Sequence, residues 1–543
     1  MSATDPIADL RSAVARAARA LRDGEAIGPE FALDRPPKPE LGDYSSNAAM
    51  LLAAPLGEAP RDVAARLCAE LDRELGANGS IERIEVAGPG FVNLFLSDAW
   101  FRRAMAGAAG HDALGPAPSD APERILVEFV SANPTGPLHV GGGRNAAYGD
   151  ALVRLLQAVG HEVEREFYVN DAGGQVERFA ASVAAEMTGG QKPEEGYEGA
   201  YVGELAEQIR ADAIEPTDLD AVGRRAVELV LDGVRATLDR FRVHFDTWFS
   251  ERDLYVRNEV EAALSRLEQE GHTYRSEGAL WLRSTDFGDD KDRVLIRANG
   301  EPTYLAADLG YHWDKLDRGF ERMIDVWGAD HHGYAPRLRA AIAGLGGDPD
   351  SLETLIMQLV HIVEAGERAQ MSKRSGDFVS LDGLIDDIGV DAARWFMLWR
   401  SHDTTVDLDL ELARRESNEN PVYYVQYAHA RIASILRKAG GEAAEPGATA
   451  GAAPLEPAEK HLIKRLLEFP EEVREAAARR APHRICAYST TVAADFHAFY
   501  RDCKVIGAEG EGTEAARLSL SLFAKRTISE ALGLLGISAP ERM

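Results

Sequence analysis

Cysteine is scarce: Cys68, Cys486 and Cys503 are the only three in 543 residues. Odd in number, far apart and without metal-ligand spacing, they exclude a disulfide framework and a structural zinc site. They suit a reducing compartment, so a cytoplasmic protein is expected. No run approaches the roughly 20 apolar residues of a membrane span. The start, Met1-Ser2-Ala3-Thr4-Asp5-Pro6, lacks the basic region and apolar core of a signal peptide. A Gly-x-x-x-x-Gly-Lys-Ser/Thr phosphate loop is missing too. Positive charge is also in deficit, with 60 Lys and Arg against 89 Asp and Glu and a formal net charge of −29. That balance argues against nonspecific nucleic-acid binding. A specific nucleic acid can still dock on local basic patches, and Lys464, Arg465, Arg474, Arg479, Arg480 and Arg484 form one candidate. The interleaved Glu468, Glu471, Glu472 and Glu475 leave a solvated helix face as an equal alternative.

The chain is long enough for three or four domains, and its 45% hydrophobic content suits a soluble globular protein. Residues 104–122 and 439–457 are rich in Ala, Gly and Pro without periodicity, as surface linkers are. No internal repeat is visible. Before the first linker, helical patterns alternate with a short strand signal. Between the linkers β and α patterns alternate, with strands expected at 125–130, 165–169 and 323–327. A charged helical stretch near 185–270 reads as an insertion, and after about residue 385 the chain reads as wholly helical. The expected fold is therefore α/β: a doubly wound, Rossmann-like parallel-sheet domain, preceded by an α+β domain and followed by an all-α helical bundle. Boundaries are expected at 1–105, 122–388 and 389–543.

The most informative segment runs from Arg124 to Asp150. An apolar strand, Ile125 to Val130, leads through Ser131-Ala132-Asn133-Pro134-Thr135-Gly136-Pro137-Leu138 into His139-Val140-Gly141-Gly142-Gly143-Arg144 and a helical pattern. A strand, a glycine-rich turn and a helix N-terminus make an anion site, since free N–H groups and the helix dipole face a docked phosphate. By itself this is also consistent with a βα turn of some other nucleotide-binding fold.

Glu128 to Gly141 resembles the first signature of class I aminoacyl-tRNA synthetases, in the form used by the arginyl-tRNA synthetase family. The family signature is His-x-Gly-His, and Gly142 stands where its second histidine belongs. Far downstream, Gln370-Met371-Ser372-Lys373-Arg374-Ser375-Gly376 resembles the second signature, Lys-Met-Ser-Lys-Ser. The resemblance implies ligation of arginine to its tRNA through an arginyl-adenylate, with His139 and Lys373 in the catalytic roles. His139, Gly141, Gly142, Met371, Ser372 and Lys373 would hold ATP, which brings Mg²⁺ as a substrate complex. No prosthetic group or resident metal is expected, and adjacent His331-His332 lacks partners at ligand spacing.

Tyr304 and Asp308, at i and i+4, match the family's guanidinium-binding pair, although alone they read as an ordinary helix surface pair. Glu128, Ser131, Asn133, Asp330 and His331 match other arginine-pocket positions. Phe91 and Asn93 match tRNA D-loop contacts, with a strand core as the alternative for Phe91. Tyr423 and Tyr427 lie where anticodon bases stack, with a helix core stripe as the alternative. Partners implied are tRNA(Arg), arginine and ATP, with no membrane and a monomeric chain. Pro540-Glu541-Arg542-Met543 resembles the family's usual ending, which makes a complete chain the expectation. The loss at Gly142 leaves a second reading open, an activation-impaired paralogue that binds tRNA or arginine.

Overall fold

Three kinds of sequence pattern become three structural units in the computed structural model, which describes residues 5–22, 31–109, 115–116, 118–329, 333–368, 379–440 and 453–543. The first unit opens with helix α1 (Pro6–Ala20), whose N-cap Asp5 accepts the N–H groups of Ile7 and Ala8 at 3.0 Å. Strands β1 (Leu33–Asp34), β2 (Tyr44–Ser46), β3 (Ile81–Ala87) and β4 (Phe91–Leu96) form an antiparallel sheet in the order β1-β2-β4-β3. Helices α2 (Ala48–Leu56), α3 (Pro60–Leu71) and α4 (Asp98–Ala109) accompany it. Residues 104–109, expected as linker, therefore belong to a helix, because Ala104 and Met105 are buried against the core.

The second unit carries a five-stranded, all-parallel sheet in the order β12-β11-β5-β6-β7. Its chain runs through β5 (Arg124–Glu128), α5 (Val140–Ala158), β6 (Glu162–Val169), α6 (Gly174–Thr188), α7 (Ala200–Ala211), α8 (Leu219–Arg240) and β7 (Thr247–Ser250). It continues with α9 (Glu251–Val256), α10 (Glu259–Gln269), a small antiparallel sheet of β8 (Thr273–Ser276), β9 (Ala279–Leu282) and β10 (Arg293–Ile296), then α11 (Tyr304–Asp317), β11 (Arg322–Gly328), α12 (Ala335–Gly344) and β12 (Leu352–Met357). The three expected strands form, yet β5 stops at Glu128 because Val130 and Ser131 take positive φ of 69° and 38°. The insertion is helical up to α8, but its continuation supplies β7, a sheet strand that was not foreseen. Only four residues long, β7 carries too little alternation to stand out. From β5 the chain moves one way to β6 and β7, and later the other way to β11 and β12. Ligand crevices open at such a switch point, beyond the strands' carboxyl ends.

The chain goes on through β13 (Val360–Glu364), β14 (Glu367–Arg368) and α13 (Leu381–Leu398), which is broken at Gly389 (φ 78°). Next come β15 (Val406–Asp409) and α14 (Leu410–Ala413), then a bundle of α15 (Pro421–Lys438), α16 (Pro457–Leu467), α17 (Phe469–Ala478), α18 (His483–Asp502) and α19 (Thr513–Leu534). The region after 385 is thus not wholly helical. Val406 and Leu408 alternate with Asp407 and Asp409, and β15 pairs in parallel with β13. No described helix is long and apolar enough to cross a membrane.

Candidate active site

His139 is the N-cap of α5, and its Nδ1 accepts the Gly142 N–H at 3.2 Å. That acceptance places the ring proton on Nε2, where it can be donated. The glycines around it are pressed by the protein itself. A Cβ on Gly141 would lie 2.9 Å from His139 Cε1, one on Gly142 would lie 2.6 Å from Leu138 Cδ1, and one on Gly149 would lie 2.2 Å from the Phe129 ring. Gly141 therefore lets the histidine ring fold back, and Gly149 brings α5 onto β5. At position 142 the tip of Leu138 fills the space a histidine side chain would enter.

Met371, Ser372 and Lys373, together with Asp330 and His331, lie outside the described residues. The chain just past the second signature is nevertheless stitched to the first. His139 bridges Ser380, Val140 N–H donates to Val379 O at 3.2 Å, and Leu381 N–H donates to Leu138 O at 2.8 Å. Two segments more than two hundred residues apart in sequence meet at His139.

The carboxyl end of β5 holds a network of buried charges. The Ser131 hydroxyl donates to Glu128 Oε1 at 2.9 Å and accepts the Tyr168 N–H at 3.1 Å. Lys315, fully buried on α11, donates to Glu128 Oε2 at 2.8 Å and to Asp325 Oδ1 at 3.0 Å. His312 Nε2 meets Asp325 Oδ2 at 3.0 Å. Burial would raise the Asp325 carboxyl, but Lys315 and His312 outweigh it and bring it down to about 2. Burial likewise opposes charge on Lys315, yet its carboxylate neighbours hold its proton more tightly than usual. Asn133 is exposed beyond the turn, its carbonyl accepting the Thr135 N–H at 2.8 Å.

A second acidic group faces the same crevice and has no such partners. Asp308 is half-buried one turn into α11 and accepts the Tyr334 hydroxyl, and its pKa is raised, chiefly by burial. Glu251, the first residue of α9 just past β7, is buried; burial, then Asp171 and Asp308, push its carboxyl up to about 7. Among the described residues no lysine or arginine forms an ion pair with either carboxylate. Tyr304, expected to share a face with Asp308, is 78% exposed at the first helical position of α11. Glu251, Lys315, His312 and Tyr334 were not singled out from the sequence. Glu251 follows a strand end, a usable signal had β7 been recognised.

The expected nucleic-acid residues are scattered over the outer units. Phe91 is exposed at the first position of β4, whereas Asn93 is buried and its amide oxygen accepts from Ser45 Oγ at 2.7 Å. Tyr423 and Tyr427 stack at 6.2 Å with planes 7° apart, and with Tyr424, Arg431, His497 and Arg501 they line a cavity of about 720 Å³. The core stripe of α15 is instead Val422, Val425, Ala428 and Ile432. Arg431 lies 5.0 Å over the Tyr427 ring. The basic patch is neutralised. Lys464 pairs with Asp43, Arg474 with Asp5, Arg480 with Glu353, and Arg465, Arg479 and Arg484 with acids of their own bundle. Three of its six cations therefore tie the bundle to the other two units.

Family models match the chain in three successive stretches. "Arginyl tRNA synthetase N terminal domain" covers residues 8–96, "tRNA synthetases class I (R), catalytic domain" residues 110–403, and "DALR anticodon binding domain" residues 425–543. The arginine–tRNA ligase of Bacillus subtilis (strain 168) is 43% identical over 550 residues, 98% of each chain. That of Listeria monocytogenes serotype 4b (strain F2365) is 45% identical over 535 residues, covering 96% of this chain and 95% of that protein. Among solved structures, Thermus thermophilus arginyl-tRNA synthetase superposes with a TM-score of 0.77 at 26% identity, covering 98% of this chain and 99% of that one.

Proposed function

The chain belongs to the arginyl-tRNA synthetase family, and from that premise we propose which of its residues carry the family's reaction. The protein joins arginine to tRNA using ATP. The arginine carboxylate attacks the α-phosphorus, the bond to the bridging oxygen of the β-phosphate breaks, and pyrophosphate leaves. A ribose hydroxyl at the tRNA terminus then attacks the carbonyl of the adenylate, and AMP leaves. No step needs a covalent enzyme intermediate, so catalysis consists of positioning and charge stabilisation.

The carrying observation is the acid pair Asp308 and Glu251, which lacks a lysine or arginine partner among the described residues and opens beside the Glu128–Ser131 elbow. A guanidinium presents a planar fork of donors, and two carboxylates on different elements can take both its sides. Glu128, Ser131 and Asn133, at and beyond the carboxyl end of β5, suit the α-amino and carboxylate groups. Tyr304 suits a wall that closes from solvent, and Asp330 and His331 complete the expected set. His139 Nε2–H donates to ATP together with the amide of Gly141, Gly142 serves the ATP site by holding the histidine ring through its N–H on Nδ1, and Met371, Ser372 and Lys373 cover the phosphates. Lys373 then balances the charge that grows on pyrophosphate. Mg²⁺ enters with ATP, as part of the substrate.

Phe91 offers a ring for an unpaired D-loop base, and Asn93, which is buried, serves there only once it is uncovered. Tyr423 and Tyr427 offer a stacking shelf for anticodon bases. The protein acts as a monomer in the cytoplasm, and three free cysteines whose thiols are held protonated by burial support the reducing compartment. Charging assays with arginine and each other amino acid, with and without tRNA, test this function. Arginine alone should be charged, and charging of another amino acid at a comparable rate overturns the assignment.

A further inference from the structure

Tyr334 takes no part in the reading above, yet among the described residues it is the one side chain that donates a hydrogen bond to the Asp308 carboxylate. Its ring is clamped from two sides. Trp327, near the end of β11, meets it edge-on at 6.0 Å, and the Arg337 guanidinium, in the first turn of α12, lies 5.4 Å over it. A ring so held carries its hydroxyl to one place, and a hydroxyl on Asp308 Oδ2 sets the plane of that carboxylate. Each carboxylate oxygen has two lone pairs, so the bond leaves Oδ1 and one face of Oδ2 for a guanidinium fork.

We infer that Tyr334 is a positioning residue for arginine selection, holding Asp308 ionised and turned to receive the guanidinium. This rests on the assignment of Asp308 to the arginine pocket. The groups facing Asp308 leave the task to Tyr334. Glu128 and Asp325 on the sheet and Glu251 on α9 are acids whose negative charge works against an ionised Asp308, and the neutral hydroxyls of Tyr255 on α9 and Tyr168 on β6 bring no positive charge to offset it. His312 favours that charge, but its ring is spent on Asp325 and on the Asp308 carbonyl, at 3.0 and 2.8 Å. Burial keeps the Tyr334 hydroxyl protonated, hence a donor, throughout the physiological range.

The test is Tyr334→Phe, which keeps the clamped ring and removes one oxygen, followed by the same change in an Asp308→Asn background. The single variant should raise the KM for arginine about tenfold, as for a hydrogen bond to a charged group, and leave kcat and the KM for ATP near their original values. Removing the donor makes Asp308 easier to protonate. The acid limb of kcat/KM for arginine should therefore move to higher pH by about one unit. In the Asp308→Asn background the second change should add nothing. An unchanged arginine KM and acid limb overturn the inference, as does a KM increase equal at every pH and undiminished in the Asp308→Asn background, which packing alone would give. If Asp308→Asn by itself leaves the arginine KM unchanged, the pocket assignment falls as well, so the two failures are distinguishable.

Discussion

Two clusters of carboxylates lie side by side in the catalytic crevice, and they differ in whether their charge is matched. Glu128 and Asp325 share the buried Lys315, with His312 behind it, and Asp325 stays ionised down to about pH 2. Glu251 and Asp308 are held by tyrosine hydroxyls, and Glu251 is pushed up to about 7. Both clusters are removed from water, so the contrast arises from their partners. A matched cluster holds the backbone in place, while an unmatched one is where a cationic substrate gains most. The matched cluster also steadies the elbow at Val130–Ser131, whose positive φ is costly for residues with a Cβ.

The comparison breaks most sharply at Lys315. Lys315→Met strands Glu128 and Asp325 and should cost about 3–5 kcal/mol of stability, read by chemical denaturation; a loss below 1 kcal/mol would mean that the cluster is not held by that charge. On the unmatched side, Asp308→Ala should raise the arginine KM about a hundredfold with little loss of stability, in line with losing a charge-paired contact. An unchanged KM removes Asp308 from the pocket.

Glu251→Gln should have opposite effects on function and fold. It should raise the arginine KM about tenfold, yet stabilise the empty enzyme. A carboxyl held above its unfolded value of 4.5 favours the fold while protonated. The penalty is absent below about pH 4.5, grows as pH rises, and is complete above about 7. The variant should therefore gain up to about 3 kcal/mol at pH 8 and almost nothing at pH 4. A gain of equal size at both pH values would place its origin elsewhere. The smallest effect is expected at Gly142. Gly142→His should speed ATP–pyrophosphate exchange by a few-fold, less than the roughly 1.5–3 kcal/mol of a charge-assisted contact, because the tip of Leu138 must first move aside. No gain counts against any role for that position in ATP binding.

Local patterns explain why much of this was legible. Apolar runs marked β5, β6 and β11, and the glycine turn before α5 marked the crevice, because each signal lies within a dozen contiguous residues. Elements with few residues escaped: β7 and β15 have four each. The six-residue basic patch was misleading for a different reason. Read along the sequence, its charges meet only their near neighbours, while Asp5, Asp43 and Glu353, which neutralise half of it, come from more than a hundred residues away.

From the sequence alone came the family, the two signatures, the order of the units and the break at Gly142, since these are written in contiguous residues whose spacing needs no fold to be read. Only the tertiary structure decided which carboxylates are matched and which are not. Glu128, Asp308, Lys315, Asp325 and Glu251 stand on four different elements, and charge pairing depends on distances of about 3 Å that no linear spacing contains. It also turned Gly142 from an omission into a packed position, with the tip of Leu138 where the family's second histidine would enter.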